Sequence, residues 1–187
     1  MRKFIKFILL FSFGLIICAS PTGMKDFPDL DQKLPMLLGH RSIITHSILF
    51  PIILYFIVIK KKIKINPNWL IFLSGLFMGM GIHLIADLFP KTWNEYSFIK
   101  IPGDISVGYF SIIWIGSNAI ASIYFAKKLI KKIKYENLYD NLYLSISLLT
   151  GILYSLNERN NQITIFLTFV ILFILLFLLE KKRPNYF

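Results

Sequence analysis

Apolar residues in this chain fall into long runs separated by short polar stretches. Six runs stand out: Phe4 to Ala19, Ser42 to Ile59, Trp69 to Phe89, Ile105 to Ala126, Leu142 to Leu156 and Ile163 to Leu179. A helix needs about 20 apolar residues, each rising about 1.5 Å, to cross the hydrocarbon of a bilayer. The first, fifth and sixth runs are short by that measure and must lean on flanking aromatic or basic residues. The pattern predicts an all-α protein, a polytopic membrane helix bundle with six transmembrane helices in one integral-membrane domain over residues 1–187. Residues 1–20 form the first span or a signal-like segment, residues 20–90 carry the polar motifs, and residues 91–187 complete the bundle. No internal repeat, low-complexity tract or long linker divides it.

Composition agrees. Of 187 residues, 56% are apolar and 17% charged, against about 25% charged in an ordinary soluble domain. Mean hydropathy is +0.63. These values argue against a soluble enzyme, a disordered chain and a large extramembrane domain. A net charge of +11 would raise the question of nucleic acid in a soluble chain. Here the cations sit beside the apolar runs, where they oppose translocation and mark the cytoplasmic side. Arg2, Lys3 and Lys6 precede the first run, and Lys60, Lys61, Lys62 and Lys64 follow the second. Lys127, Lys128, Lys131, Lys132 and Lys134 follow the fourth, and Lys181, Lys182 and Arg183 follow the sixth. All lie on one side of a six-span chain, which predicts a multi-pass protein with both termini cytoplasmic, membrane lipid as its partner and no nucleic acid. The first segment also reads as a signal: a basic start to Lys6, an apolar stretch Phe7–Ile17, and Cys18-Ala19-Ser20 as a cleavage site, which would leave five spans. The lone cysteine, Cys18, excludes an internal disulfide and a multi-cysteine zinc site.

The chemistry is concentrated. The three histidines are His40, His46 and His83. His40 and His46 lie at the start of the second run, in Gly39-His40-Arg41-Ser42-Ile43-Ile44-Thr45-His46-Ser47, and His83 lies near the end of the third. The sidedness set by Lys and Arg alone brings both segments to the outer face, together with Asp29 and Asp31 of the first outer loop. His83 and Asp87 are one helical turn apart on one face, and the same stripe runs back through Gly79 and Gly75. Small residues at that spacing let another helix approach closely; the second span is the simplest partner. An acidic residue inside a span costs about 2.5–3.5 kcal/mol at mid-membrane, so Asp87 calls for a partner. A divalent cation is one solution, and a His/Asp set suits zinc or manganese. Asp29, Asp31, His46, His83 and Asp87 are the expected ligands. His40 is expected to serve as a further ligand or an acid/base, Arg41 to face a substrate anion such as phosphate, and Thr45 and Ser47 to hydrogen-bond the ligands. The Lys clusters read as topology signals, Tyr135, Tyr139 and Tyr143 as interfacial anchors, and the Phe-rich sixth run as lipid-facing.

These motifs resemble a family of bacterial inner-membrane proteins described as metal-dependent hydrolases, the YdjM-like group. Its Pro-Asp-x-Asp loop appears as Pro28-Asp29-Leu30-Asp31. Its His-Arg-x-x-Thr-His-Ser appears as His40-Arg41 and Thr45-His46-Ser47 with three intervening residues instead of two. Its His-x-x-x-Asp appears as His83 and Asp87. The resemblance covers roughly residues 20 to 90. It implies an inner-membrane hydrolase, with the cation activating water near neutral pH and a lipid phosphoester or another interfacial ester as substrate.

Other classes fit less well. The chain has no His-Glu-x-x-His and no Gly-x-Ser-x-Gly, the signatures of zinc proteases and of serine hydrolase elbows. The His-x-x-x-Asp also occurs in lipid phosphatases of the vanadate-haloperoxidase type, but the Ser-Arg pair they need is missing. The competing reading is not an enzyme: an ion or metal carrier, or a structural subunit whose His/Asp cluster braces the helices.

Overall fold

The structure is a computed structural model, and it describes residues 2–20, 26–33, 41–60, 66–95, 97–102, 105–133, 137–157 and 161–181. These form six α-helices: α1 (Arg2–Cys18), α2 (Leu49–Lys60), α3 (Pro67–Asp87), α4 (Phe110–Lys131), α5 (Asn137–Asn157) and α6 (Gln162–Lys181). A 3-10 turn covers Pro28–Lys33, and a short antiparallel pair joins β1 (Lys100–Ile101) to β2 (Ile105–Ser106). The all-helical expectation holds.

Helix α3 is the centre. Asn66 caps it, its side chain accepting from the Asn68 N–H, and Pro67 occupies the first turn, where a missing N–H costs nothing. Beyond that turn it is apolar except for Ser74, His83 and Asp87, and nearly every residue from Leu70 to Asp87 is buried. Helix α1 runs parallel to it at backbone contact. A Cβ added at Gly75 would meet the Phe11 carbonyl oxygen, one at Gly79 that of Leu15, and one at Gly14 that of Phe72. The glycine stripe is therefore a packing device, but its partner is the first helix and not the second. Helix α4 runs antiparallel on another side: Gly81 faces Ile123, and the Ser74 hydroxyl donates to the Ala126 carbonyl at 2.9 Å. Helices α5 and α6 pack as a pair, with Phe169 against Gly151.

Two of the expected spans begin later than hydropathy suggests. The second helix starts at Leu49, not Ser42, and the fourth at Phe110, not Ile105. In the first case the reason is hydrogen bonding: Ser42 pairs with Lys100 in a parallel bridge, with Lys100 N–H donating to Arg41 O at 3.0 Å and Ile43 N–H to Lys100 O at 2.8 Å. Residues 41–43 thus lie along the hairpin, and β1–β2 occupies Ile105 and Ser106. Tyr143 is also misplaced by the interfacial reading. It is fully buried, edge-on to Phe11 with ring centroids 6.2 Å apart. Tyr135 and the side chain of Tyr139 lie outside the described residues. Helix α6 is not wholly outward-facing, since Ile165, Phe169 and Phe173 are buried.

Among the described residues one helix, α3, is long and apolar enough to cross a membrane, and 89% of that window is buried inside the molecule. A core helix passes the same test.

Candidate metal centre

Three separate pieces of chain meet at the C-terminal end of α3. His83 and Asp87 come from α3 itself, one turn apart. His46 comes from the irregular segment before α2, and Asp29 and Asp31 from the 3-10 turn. The rings of His46 and His83 have centroids 5.3 Å apart. Asp87 Oδ2 lies 3.4 Å from His46 Nε2 and 3.3 Å from His83 Nε2. One ligand atom from each of Asp29, His46 and His83 lies within 4.8 Å of the others. His46 is 1% exposed, His83 2% and Asp87 8%, while Asp29 is half-buried.

The atoms facing the centre are poorly served by protein partners. His83 Nε2 and Asp87 Oδ2 are buried and lie 3.3 Å apart without a well-aligned hydrogen bond among the described residues; a buried polar group left so costs about 1–3 kcal/mol, and more when charged. Their spacing suits a cation: with metal–ligand bonds of about 2.0–2.2 Å, the edge of a tetrahedron is about 3.4 Å. Half-buried Asp29 with buried His46 and His83 could therefore hold a metal ion, with Asp87 Oδ2 beside both imidazoles.

The far sides of the ligands are tied down. Asp31 Oδ2 accepts from the Ser42 N–H at 2.8 Å and the Thr45 hydroxyl at 2.7 Å, and lies 3.2 Å from His46 Nδ1. It was expected among the ligands, but it stands behind His46 and turns Nε2 toward Asp87. Burial alone would raise the Asp31 pKa. The hydrogen bond and charge of His46, with the Thr45 hydroxyl and Ser42 N–H, outweigh it and hold the carboxyl below its usual range. His83 is fixed in the same manner, with Nδ1 2.8 Å from the Tyr154 hydroxyl and 3.6 Å from Asp26 Oδ2. Ligand imidazoles in metalloproteins carry such partners on the distal nitrogen.

Arg41 is not turned to an outside anion. It is buried, its Nη2 donating to Asp87 Oδ1 and its Nη1 to the Ser97 carbonyl, each at 2.7 Å. Its backbone has φ 57°, a left-handed conformation costing a side-chain-bearing residue about 1–2 kcal/mol. The hairpin bonds on its carbonyl and the guanidinium bonds hold it there. Thr45 contacts Asp31 and sits 3.1 Å from His46 Nδ1, in the supporting place expected of it. Ser47 does not: its Oγ accepts from the Leu49 N–H at 3.2 Å, two residues on, where α2 begins. His40 lies outside the described residues.

Sequence reasoning missed Asp26 and Tyr154. Asp26 had a signal, three positions before Asp29 in the same acidic loop; its Oδ1 also accepts from the Ser20 N–H at 2.8 Å. Tyr154 had none, because nothing local in α5 marks which residue reaches His83.

No protein-family model matches the chain, and no solved structure matches it significantly. It is similar to the Bacillus subtilis (strain 168) protein described as uncharacterized protein YvsG, at 32% identity over 117 residues. That match covers 57% of this chain and 66% of the relative, just under two thirds of its length.

Proposed function

We propose that the chain is a six-span protein of the bacterial inner membrane, akin to the YdjM-like group. In this reading its His/His/Asp centre binds a divalent cation such as zinc or manganese at the extracytoplasmic face and serves hydrolysis of an interfacial ester or phosphoester. The observation that carries the reading is Asp87 Oδ2 lying 3.3–3.4 Å from two buried Nε2 atoms, each imidazole held from behind.

The membrane assignment draws on where apolar surface remains. Leu9, Phe13, Ile113, Ile120, Leu149 and Ile163 are each at least 59% exposed. These large apolar side chains lie on four different helices, and their exposure is favourable against lipid. The 21 residues of α3 make a helix of about 30 Å, the hydrocarbon thickness. The site is at one of its ends, and Lys3, Lys6 and Lys132 lie around the other.

A divalent cation bound there supplies Lewis-acid polarisation and makes water a nucleophile near neutral pH. The residues divide the remaining work. His46, His83 and Asp87 hold the cation, while Asp31 and Tyr154 orient the imidazoles. Arg41 fixes Asp87 by Oδ1 rather than meeting substrate. Asp29, at the partly exposed side, completes the ligand set or takes a proton on its carboxylate from the attacking water. Chelator treatment followed by zinc or manganese re-addition, against a panel of lipid phosphoesters and esters, tests the proposal. Turnover that returns with metal is expected, and none across the panel would refute the hydrolase reading.

Burial of both imidazoles favours one second reading, a cluster that braces the helices. Under it Asp87→Asn lowers thermal stability, and no metal accompanies the purified chain.

A further inference from the structure

At the end of α3 opposite the metal centre lies an open cleft of about 590 Å³. Lys3 and Lys6 reach it from the first turns of α1, Lys132 from just past the end of α4, and Asn66 and Asn68 from the start of α3. An anion seated there would meet three ammonium groups, from α1 and from just past α4, with no carboxylate to oppose it among the described residues. The α3 helix end is not the source of the argument, because Asn66 already caps it.

The cleft also sits at a particular depth. It lies one α3 length from Asp87, and Trp69, 37% exposed, is next to it in the first turn, as indoles are at a membrane–water boundary. On α1, two positions after Lys3 and three after Lys6, the exposed Ile5 and Leu9 offer apolar surface. A ligand with an anionic head and apolar tails matches both parts. Basic pockets between spanning helices on the cytoplasmic side take anionic headgroups.

We infer that this cleft binds the phosphate headgroup of an anionic phospholipid from the cytoplasmic leaflet. The inference rests on the membrane reading and is independent of the hydrolase one. Its test is native mass spectrometry of the full detergent-purified chain titrated with dioleoyl phosphatidylglycerol or dioleoyl phosphatidylcholine. Wild type should retain the phosphatidylglycerol in preference. Lys3→Gln/Lys6→Gln/Lys132→Gln together should weaken that retention by about tenfold or more at low salt, with melting in phosphatidylcholine unchanged. Lys60→Gln/Lys127→Gln/Lys128→Gln removes the same charge from the same side and should leave retention near wild type. Equal retention of both lipids, equal loss in both triple variants, or displacement by inorganic phosphate at concentrations comparable to the lipid would overturn the proposal. Carbonate release of the chain from membranes would sink the membrane reading and this inference together, whereas absence of bound metal would leave both standing.

Discussion

Asp87 divides its carboxylate between two tasks: Oδ1 accepts from Arg41 Nη2 at 2.7 Å, while Oδ2 stands between the Nε2 atoms of His46 and His83. The guanidinium compensates the charge of a carboxylate buried in an apolar helix and fixes its orientation. The remaining oxygen is left to the imidazoles.

If that oxygen and the two nitrogens form a metal centre, three single substitutions should fail alike. His46→Ala, His83→Ala and Asp87→Asn should each reduce the metal purified with the chain from about one ion to near none, measured by elemental analysis. Removing one of three first-sphere ligands has a far larger effect than removing an outer partner, which costs roughly 10–100-fold in affinity. Tyr154→Phe should fall in that smaller class. Metal retained in full by His83→Ala would refute the ligand assignment.

Arg41 should be a stability residue as much as a site residue. Arg41→Ala strips the partner from a buried carboxylate, a change that costs about 3–5 kcal/mol, and should lower the melting temperature strongly. Arg41→Lys should recover only part, since one ammonium cannot reproduce the fork that reaches both Asp87 Oδ1 and the Ser97 carbonyl. A melting temperature unchanged by Arg41→Ala would show that the pair carries no weight.

The α1–α3 contact makes a steric prediction. Gly75→Ala and Gly79→Ala place a Cβ against the backbone carbonyls of Phe11 and Leu15, where no side chain can rotate away, and should cost about 1–3 kcal/mol or more. Gly116→Ala is the control, because its nearest neighbour is a Leu88 methyl at 3.9 Å. Scanning fluorimetry should separate the first two from the third.

Acid should act through Asp31. Its carboxyl is held below the usual range in the folded chain, so the unfolded chain binds a proton first as pH falls. The stability it contributes is present above the unfolded value of about 3.9 and is lost as pH drops through the lower folded one. Melting temperature should therefore decline more steeply below about pH 4 in wild type than in Asp31→Asn. Parallel curves would show that the turn over residues 42–46 does not depend on the ionised carboxylate.

Sidedness has a direct check. Cysteine-labelling or reporter fusions at Lys33 and Lys131 should report opposite faces of the membrane; equal labelling would break the six-span arrangement.

Much of this arrangement is legible in the sequence. The six apolar runs locate the six helices, and the pairing of His83 with Asp87 follows from one helical turn. Gly75 and Gly79 announce a close helix contact. What misled was treating hydropathy as helix: Ser42 to Ile48 is apolar enough to extend a helix, yet its backbone groups bond to Lys100 and its Ser42 N–H to Asp31.

Sequence by itself determined where helices could form and which residue types would have to gather at one end, because apolar length and charge placement act locally along a chain. Which helix the glycines receive, which carboxylate faces the centre and which stands behind a histidine, and that Tyr154 and Asp26 take part, were decided only by tertiary structure. Those choices depend on distances between segments far apart in the chain, set by backbone contact and hydrogen bonding that no local pattern encodes.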